Sequence, residues 1–194
     1  PGYYISQYDG EIACMDKSFG DLISELKRLG IYDQSMIIFS ADHGEGMGGH
    51  DYYFAHGENL YQDVIEVPLI IRCGNGRTGR INPPVQHIDI APTILDTIAL
   101  KQQLPYRGVN LLAGRIPDKR EIFSELQVQA FKDRNLFSIS VEELKLIYQL
   151  YSDKYELYDL HKDPHETNNL AGQEDLKAVI KGLKARLKRT MDED

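Results

Sequence analysis

The sequence predicts an α/β fold. Residues 1–117 would form part of a mixed, mostly parallel sheet flanked by helices, and residues 118–194 a small antiparallel α+β subdomain. Three observations predict it. A helical apolar period is followed by two short unbroken apolar runs, the pattern of strands covered on both faces. From about Asp118 the texture changes to four strand-like segments joined by short turns. A last amphipathic stretch supplies one helix to cover them.

Ile12, Met15, Phe19, Leu22, Ile23, Leu26 and Leu29 recur at steps of three or four, so a helix is expected from about Ile5 to Leu29, with Gly30 as its stop. The apolar run Ser35 to Ser40 is the first strand, and the residues after it fall where α/β sheets place ligands, at the strands' carboxyl edge. Residues 44–58 form a loop rich in Gly, His and Tyr, long enough to suggest a function. A short helix from Asn59 to Ile65 and a strand from Val67 to Cys73 follow, with Pro68 near the strand's start. After a turn-rich link comes a helix from Ile88 to Leu100, with Asp89 as a plausible N-cap and Pro92 in its first turn. EIFSELQVQ, LFSISVEE, KLIYQLYS and YELYDL are the four later strands, and Glu174 to Thr190 is the final helix, its stripe made by Leu176, Val179, Ile180, Leu183 and Leu187. Lys188 to Asp194 is expected to fray.

With 194 residues, 42% of them hydrophobic, the chain can bury a core without disulfides or structural zinc. A net charge of −8 and a pI near 5.3 argue against nucleic-acid partners and against docking on anionic lipid. An anionic substrate stays open, because a bound cation can outweigh the global charge locally. No stretch has the length of a membrane span, and the N-terminus does not read as a signal peptide. It enters a helix almost at once, as if cut from a longer chain. Cys14 and Cys73 form no CxxC pair and read as small core residues, so the redox compartment is not encoded.

Asp42-His43 ends the first strand. Where a backbone turns at a strand end, a carboxylate and an imidazole can converge on one cation, a hard oxygen beside a borderline nitrogen. On the dipeptide alone, an Asx turn with a hydrogen-bonded histidine is the favoured reading. His43, His50 and His56, half of the six histidines, fall within fourteen positions. Imidazole both shuttles protons near neutrality and binds metals, which favours an active-site loop over a solvated surface loop.

These residues carry a resemblance. SADHGEGMGGHDYYFAHGENLYQDVIEVPLII resembles the Ser-Asp-His-Gly turn, Gly-Glu-His segment, Leu-Tyr pair and Val-Pro-Leu-Ile run of the sulfatases. YDGEIACMDKSFGDLISELKRLGIYDQSMIIFS is similar to the helix and strand before that turn. HIDIAPTILDTIAL is similar to the family's Asp-Ile-Ala-Pro-Thr helix, and YELYDLHKDPHETNNLA to its closing segment. The match is weakest between about residues 101 and 153.

The resemblance implies an alkaline-phosphatase-like fold and a hydrolase of sulfate esters, of which this chain is a C-terminal portion. It implies that Asp42 and His43 are metal ligands, that the metal is calcium by family habit, with manganese or zinc also open to a histidine ligand, and that a formylglycine hydrate attacks sulfur. His56 stands where many members carry an active-site lysine. An imidazole there can neutralise a sulfate oxygen and, while protonated, give a proton to the leaving oxygen. His50 is expected to shape the loop or touch substrate without a catalytic role. Neither Cys14 (CMDKS) nor Cys73 (CGNGR) fits the Cys/Ser-x-Pro-x-Arg segment that supplies formylglycine. The nucleophile and the remaining metal carboxylates are therefore expected in a missing N-terminal part of the same protein, without which this segment would be inactive. The glycine run 46–49 is longer than usual and would loosen the loop.

Two other functions fit the same residues: a phosphate- or phosphonate-ester hydrolase of the wider superfamily, and a non-catalytic interaction module that keeps only the scaffold. Tyr148, Tyr151, Tyr155 and Tyr158 are expected to pack in the sheet, and Asp163 to Glu166 to turn the chain into the last helix. Arg72 and His87 could approach a ligand, though nothing in their spacing requires it.

Overall fold

A computed structural model describes residues 2–74, 78–100, 106–114, 116–117, 119–128 and 135–192. The chain divides into two units, Pro1–Gly79 and Arg80–Asp194.

In the first unit, helix α1 (Gly2–Arg28) forms where the apolar period requires it. It ends in a Schellman motif: Ile31 N–H donates to the Leu26 carbonyl, Gly30 N–H to that of Lys27, and Gly30 takes the left-handed φ of 70° that glycine adopts without strain. Phe19 faces Phe39 of strand β1 (Ile37–Ser40), ring centroids 5.3 Å apart. The rest of the apolar stripe is not core. Among the described residues no side chain of α1 is buried; Ile12, Met15 and Leu22 are exposed, and so is Cys14, contrary to its expected core position. Cys73 is half-buried.

Strand β1 pairs with β4 (Leu69–Arg72) in antiparallel register, Ile37 opposite Arg72 and Ser40 opposite Leu69. Between them lie a short hairpin, β2 (Gly46–Met47) and β3 (Tyr53–Ala55), and a single helical turn, α2 (Gln62–Ile65). The expected mostly parallel sheet is not seen among the described residues, where every strand pair is antiparallel. A parallel partner needs a crossover that returns to the strand's starting end. The intervening residues instead fold back locally and deliver Leu69 beside Ser40. An apolar run encodes burial and not direction, and here even burial is partial, with Ile70 61% exposed. Arg72 is committed to structure. Its guanidinium donates to the carbonyls of Tyr32 and Ser35 and to Asp33, and lies 3.6 Å from the Tyr32 ring centroid.

The second unit contains helix α3 (Ile90–Thr97), an antiparallel sheet in the order β5 (Glu121–Leu126), β6 (Leu136–Val141), β7 (Leu144–Gln149), β8 (Lys154–Asp159), and helix α4 (Lys177–Asp192). The alternation of each strand gives one face, Phe137, Ile139, Leu146, Tyr148 and Leu157, that α4 covers with Ile180, Leu183 and Leu187. Burial of side chains of this kind stabilises by about 1.5–3 kcal/mol each. Tyr148 and Tyr158 are buried and Tyr155 borders the core, whereas Tyr151 sits on the β7–β8 turn, 60% exposed, and is not a packing residue. Position 129 of EIFSELQVQ and positions 193–194 of the tail lie outside the described residues, and α4 itself runs to Asp192.

The second unit begins at Arg80, so residues 80–117 group with the four-stranded sheet and its helix. A hub at the start of α3 joins them. Asp89, fully buried, accepts two hydrogen bonds from Arg120 at 2.7 and 2.8 Å, and one each from the Val109 and Gln86 N–H groups. The Gln86 side chain in turn accepts the Phe123 N–H of β5. Asp89 stands at the expected N-cap position of α3 but makes no side-chain capping bond there, its carboxylate being taken up by these donors. Burial raises its pKa, but the Arg120 guanidinium and the two backbone donors outweigh that and hold the carboxyl below the ordinary range. A folded-state pKa below the unfolded one gives stability that is complete above the unfolded value, about 3.9, and lost as pH falls through the folded value. Acidification below about pH 4 is therefore expected to lower the urea midpoint of the wild type more than that of Asp89→Asn, and equal losses in both would refute it.

Candidate active site

The site lies in the first unit and grows from the end of β1. After Ser40 the chain turns, and the Asp42 Oδ1 accepts the His43 N–H at 3.0 Å. That bond, with the nearby imidazoles, holds the Asp42 carboxyl below its ordinary range, so at neutral pH it is an anion with a free oxygen. His43 Nδ1 lies 2.8 Å from the Gly44 carbonyl oxygen. A carbonyl can only accept, so Nδ1 carries the proton and Nε2 is left as a bare donor atom, the arrangement a metal-ligating histidine needs. Asp42 Oδ2 and His43 Nε2 are 3.9 Å apart. Two donors each roughly 2.4 Å from one cation at that separation would subtend about 110°, an acceptable ligand angle. The pair therefore fits two places in the coordination shell of a divalent ion. Among the described residues no set of three or more His, Cys, Asp or Glu side chains converges on such a point, so the pair alone does not complete a metal site.

Gly44 is where the loop touches α2. Its N–H donates to the Val64 carbonyl at 2.7 Å, and a Cβ built on it would stand 2.2 Å from the Asp63 carbonyl oxygen. Only glycine allows this approach.

The β2–β3 hairpin brings His56 back. Gly46 is opposite Ala55, so the next pair outward is Glu45 opposite His56, and the His56 Nδ1 is 3.0 Å from Glu45 Oε2. Phe54 is an extra residue between the two paired positions of β3, bulged at φ 52°. The His56 ring stacks on His43, centroids 4.2 Å apart and planes 23° apart. The three residues singled out by sequence, Asp42, His43 and His56, thus share one surface. His50 does not join them. It sits at the hairpin tip with φ 54°, its ring flat against Tyr61 at 3.5 Å. Its place is in the shape of the loop. The stacked geometry shows that the glycine run does not leave this segment featureless.

Glu45 is not singled out by the sequence. The signal for Glu45 was present in the hairpin register, since positions 45 and 56 sum to the same value as 46 and 55. Nothing short of the register itself reveals it.

With this geometry in view, the family model for sulfatases matches residues 3–99. The uncharacterized sulfatase YidJ of Escherichia coli is 30% identical over 71% of this chain and 28% of its own length. The chain belongs to the sulfatase family. An N-acetylglucosamine-6-O-sulfatase of Bacteroides thetaiotaomicron is 26% identical over 96% of the chain and 35% of its own length. Among solved structures, the phosphonate monoester hydrolase of Agrobacterium radiobacter superposes with a TM-score of 0.76 at 28% identity, covering 94% of this chain and 40% of that one. The chain therefore spans about a third of the curated relatives it matches, and it has the fold of the corresponding part of a sulfatase or related hydrolase. Among the described residues no helix is long and apolar enough to cross a membrane.

Proposed function

We propose that this chain forms the leaving-group side, and part of the metal site, of a hydrolase that cleaves sulfate esters to an alcohol and inorganic sulfate. The observation that carries the reading is the convergence of Asp42 Oδ2 and His43 Nε2 at 3.9 Å, with the His56 ring stacked against the second of them. Asp42 and His43 hold a divalent cation, calcium in the first instance. The chemistry such a cation would supply there is Lewis-acid stabilisation of charge on a sulfate oxygen. The bond that breaks joins sulfur to the ester oxygen. Its electron pair stays on that oxygen, and a proton from His56 Nε2 completes the alcohol.

The nucleophile comes from outside residues 1–194, formylglycine by family resemblance, because neither cysteine here lies in a fitting segment. A second reading has its own support: at 28% identity, the phosphonate monoester hydrolase structure favours a phosphonate ester as the alternative substrate.

The test uses the complete polypeptide carrying this segment, assayed in parallel on an aryl sulfate and an aryl phosphonate monoester. Sulfate turnover that falls at least about a hundredfold in Asp42→Ala and in His56→Ala is expected. Preference for the phosphonate would select the second reading. Turnover of neither ester would leave the non-catalytic scaffold, and wild-type turnover in both variants would sink the roles given to Asp42 and His56. The 194 residues alone are expected to show no turnover and only weak metal binding by calorimetry.

A further inference from the structure

We propose that Glu45 is a positioning residue for His56: its carboxylate holds the Nδ1–H and so dedicates Nε2 to the substrate. The inference rests on the hydrolase reading for its catalytic consequence, though not for its geometry. The two side chains face each other because the hairpin register sets 45 opposite 56, and the contact is 3.0 Å from His56 Nδ1 to Glu45 Oε2. A carboxylate has no proton to give, so Nδ1 must carry one in either the neutral or the charged ring. Any proton exchanged with substrate then passes at Nε2 alone.

The burial of the pair is uneven in the direction this role requires. The Glu45 side chain is only 20% exposed while His56 is 55% exposed, so the carboxylate braces the ring from beneath and leaves its far edge accessible. Oε1 of Glu45 is buried with no hydrogen-bond partner among the described residues. The bond to His56 is thus the one described interaction that compensates this carboxylate for leaving water, which ties the two residues into one unit. The stack on His43 fixes the ring plane from a second side, and the carboxylate fixes its rotation within that plane. A lysine at position 56 would need neither constraint, because an ammonium presents protons in every direction. An imidazole has two unlike nitrogens, and the wrong tautomer or a half-turn of the ring would present the wrong atom.

The experiment is ¹⁵N spectroscopy of the histidine rings in the complete polypeptide, recorded well above the imidazole titration range and assigned with His56→Asn, together with steady-state kinetics. In the wild type and in Glu45→Gln, which keeps an acceptor oxygen, His56 is expected as the Nδ1–H tautomer with a pyridine-like Nε2. In Glu45→Ala that preference is expected to disappear, and kcat to fall about ten- to a hundredfold with KM nearly unchanged. Unchanged ring resonances in Glu45→Ala would overturn the proposal, as would a changed tautomer with an unchanged kcat. A protein that hydrolyses neither ester, yet shows the tautomer only when position 45 offers an acceptor, would sink the hydrolase reading and uphold the pairing.

Discussion

Lys145→Met is expected to destabilise the second unit by about 3–5 kcal/mol, and Glu166→Gln by a similar amount. Lys145 is wholly buried on β7 and Glu166 is 1% exposed, with Nζ and Oε1 2.6 Å apart. The pair lies on the sheet face opposite α4, where Lys145 stands between Ser140 of β6 and Tyr158 of β8. Glu166 reaches it from the turn after β8, held at φ 54° and hydrogen-bonded through its N–H to the Asp163 carbonyl. Each single substitution takes the opposite charge away from a side chain that stays buried, which is why the loss is large. Replacing both by Met removes the charges together and is expected to return stability to within about 1–2 kcal/mol of the wild type. Urea unfolding of the four proteins measures the cycle. A single variant that loses less than about 1 kcal/mol would mean that water reaches the pair.

That ion pair marks what the sequence could not disclose. Lys145, Ile147 and Gln149 alternate with Leu144, Leu146 and Tyr148, so the two sets take opposite faces of the sheet and the second supplies the core under α4. That much is a property of one strand. What covers the first set comes from the turn after β8, which the strand's own pattern does not announce. The turn at Asp163 to Glu166 was legible as a turn; its buried carboxylate was not. Helix α1, α4 and strands β5 to β8 were legible for the same local reason, their periods being set by residues a few positions apart. The direction of β4 and the position of the unit boundary depend on pairings such as Ser40 with Leu69 and Asp89 with Arg120, which no local pattern carries. In the site, adjacency made Asp42-His43 conspicuous, and the density of histidine drew attention to His56. Glu45 stayed hidden because a hairpin register, not a spacing, brings it to its partner.

Gly44→Ala is expected to lower kcat/KM of the complete enzyme about a hundredfold, although residue 44 supplies no side chain to the chemistry. A Cβ at this position would meet the Asp63 carbonyl oxygen at 2.2 Å and its carbonyl carbon at 3.2 Å. Both are backbone atoms, so neither can swing aside as a side-chain tip would. The loop must instead lift from α2 and give up the Gly44 N–H to Val64 bond of 2.7 Å. Asp42 and His43 lie just before this contact and Glu45 just after it. A displacement of the order of 1 Å there separates Asp42 from His43 and Glu45 from His56, and misplacement on that scale suffices for a hundredfold loss. The comparison is Gly20→Ala, on the exposed side of α1, where a Cβ meets nothing within 4 Å. That substitution is expected to stabilise the helix by about 0.5–1 kcal/mol and to leave turnover alone. Kinetics and hydrogen exchange at the residue 44 amide distinguish the two glycines. If Gly44→Ala kept both its activity and a protected amide, the close approach of loop to helix would not be what holds the Asp-His pair in register with His56.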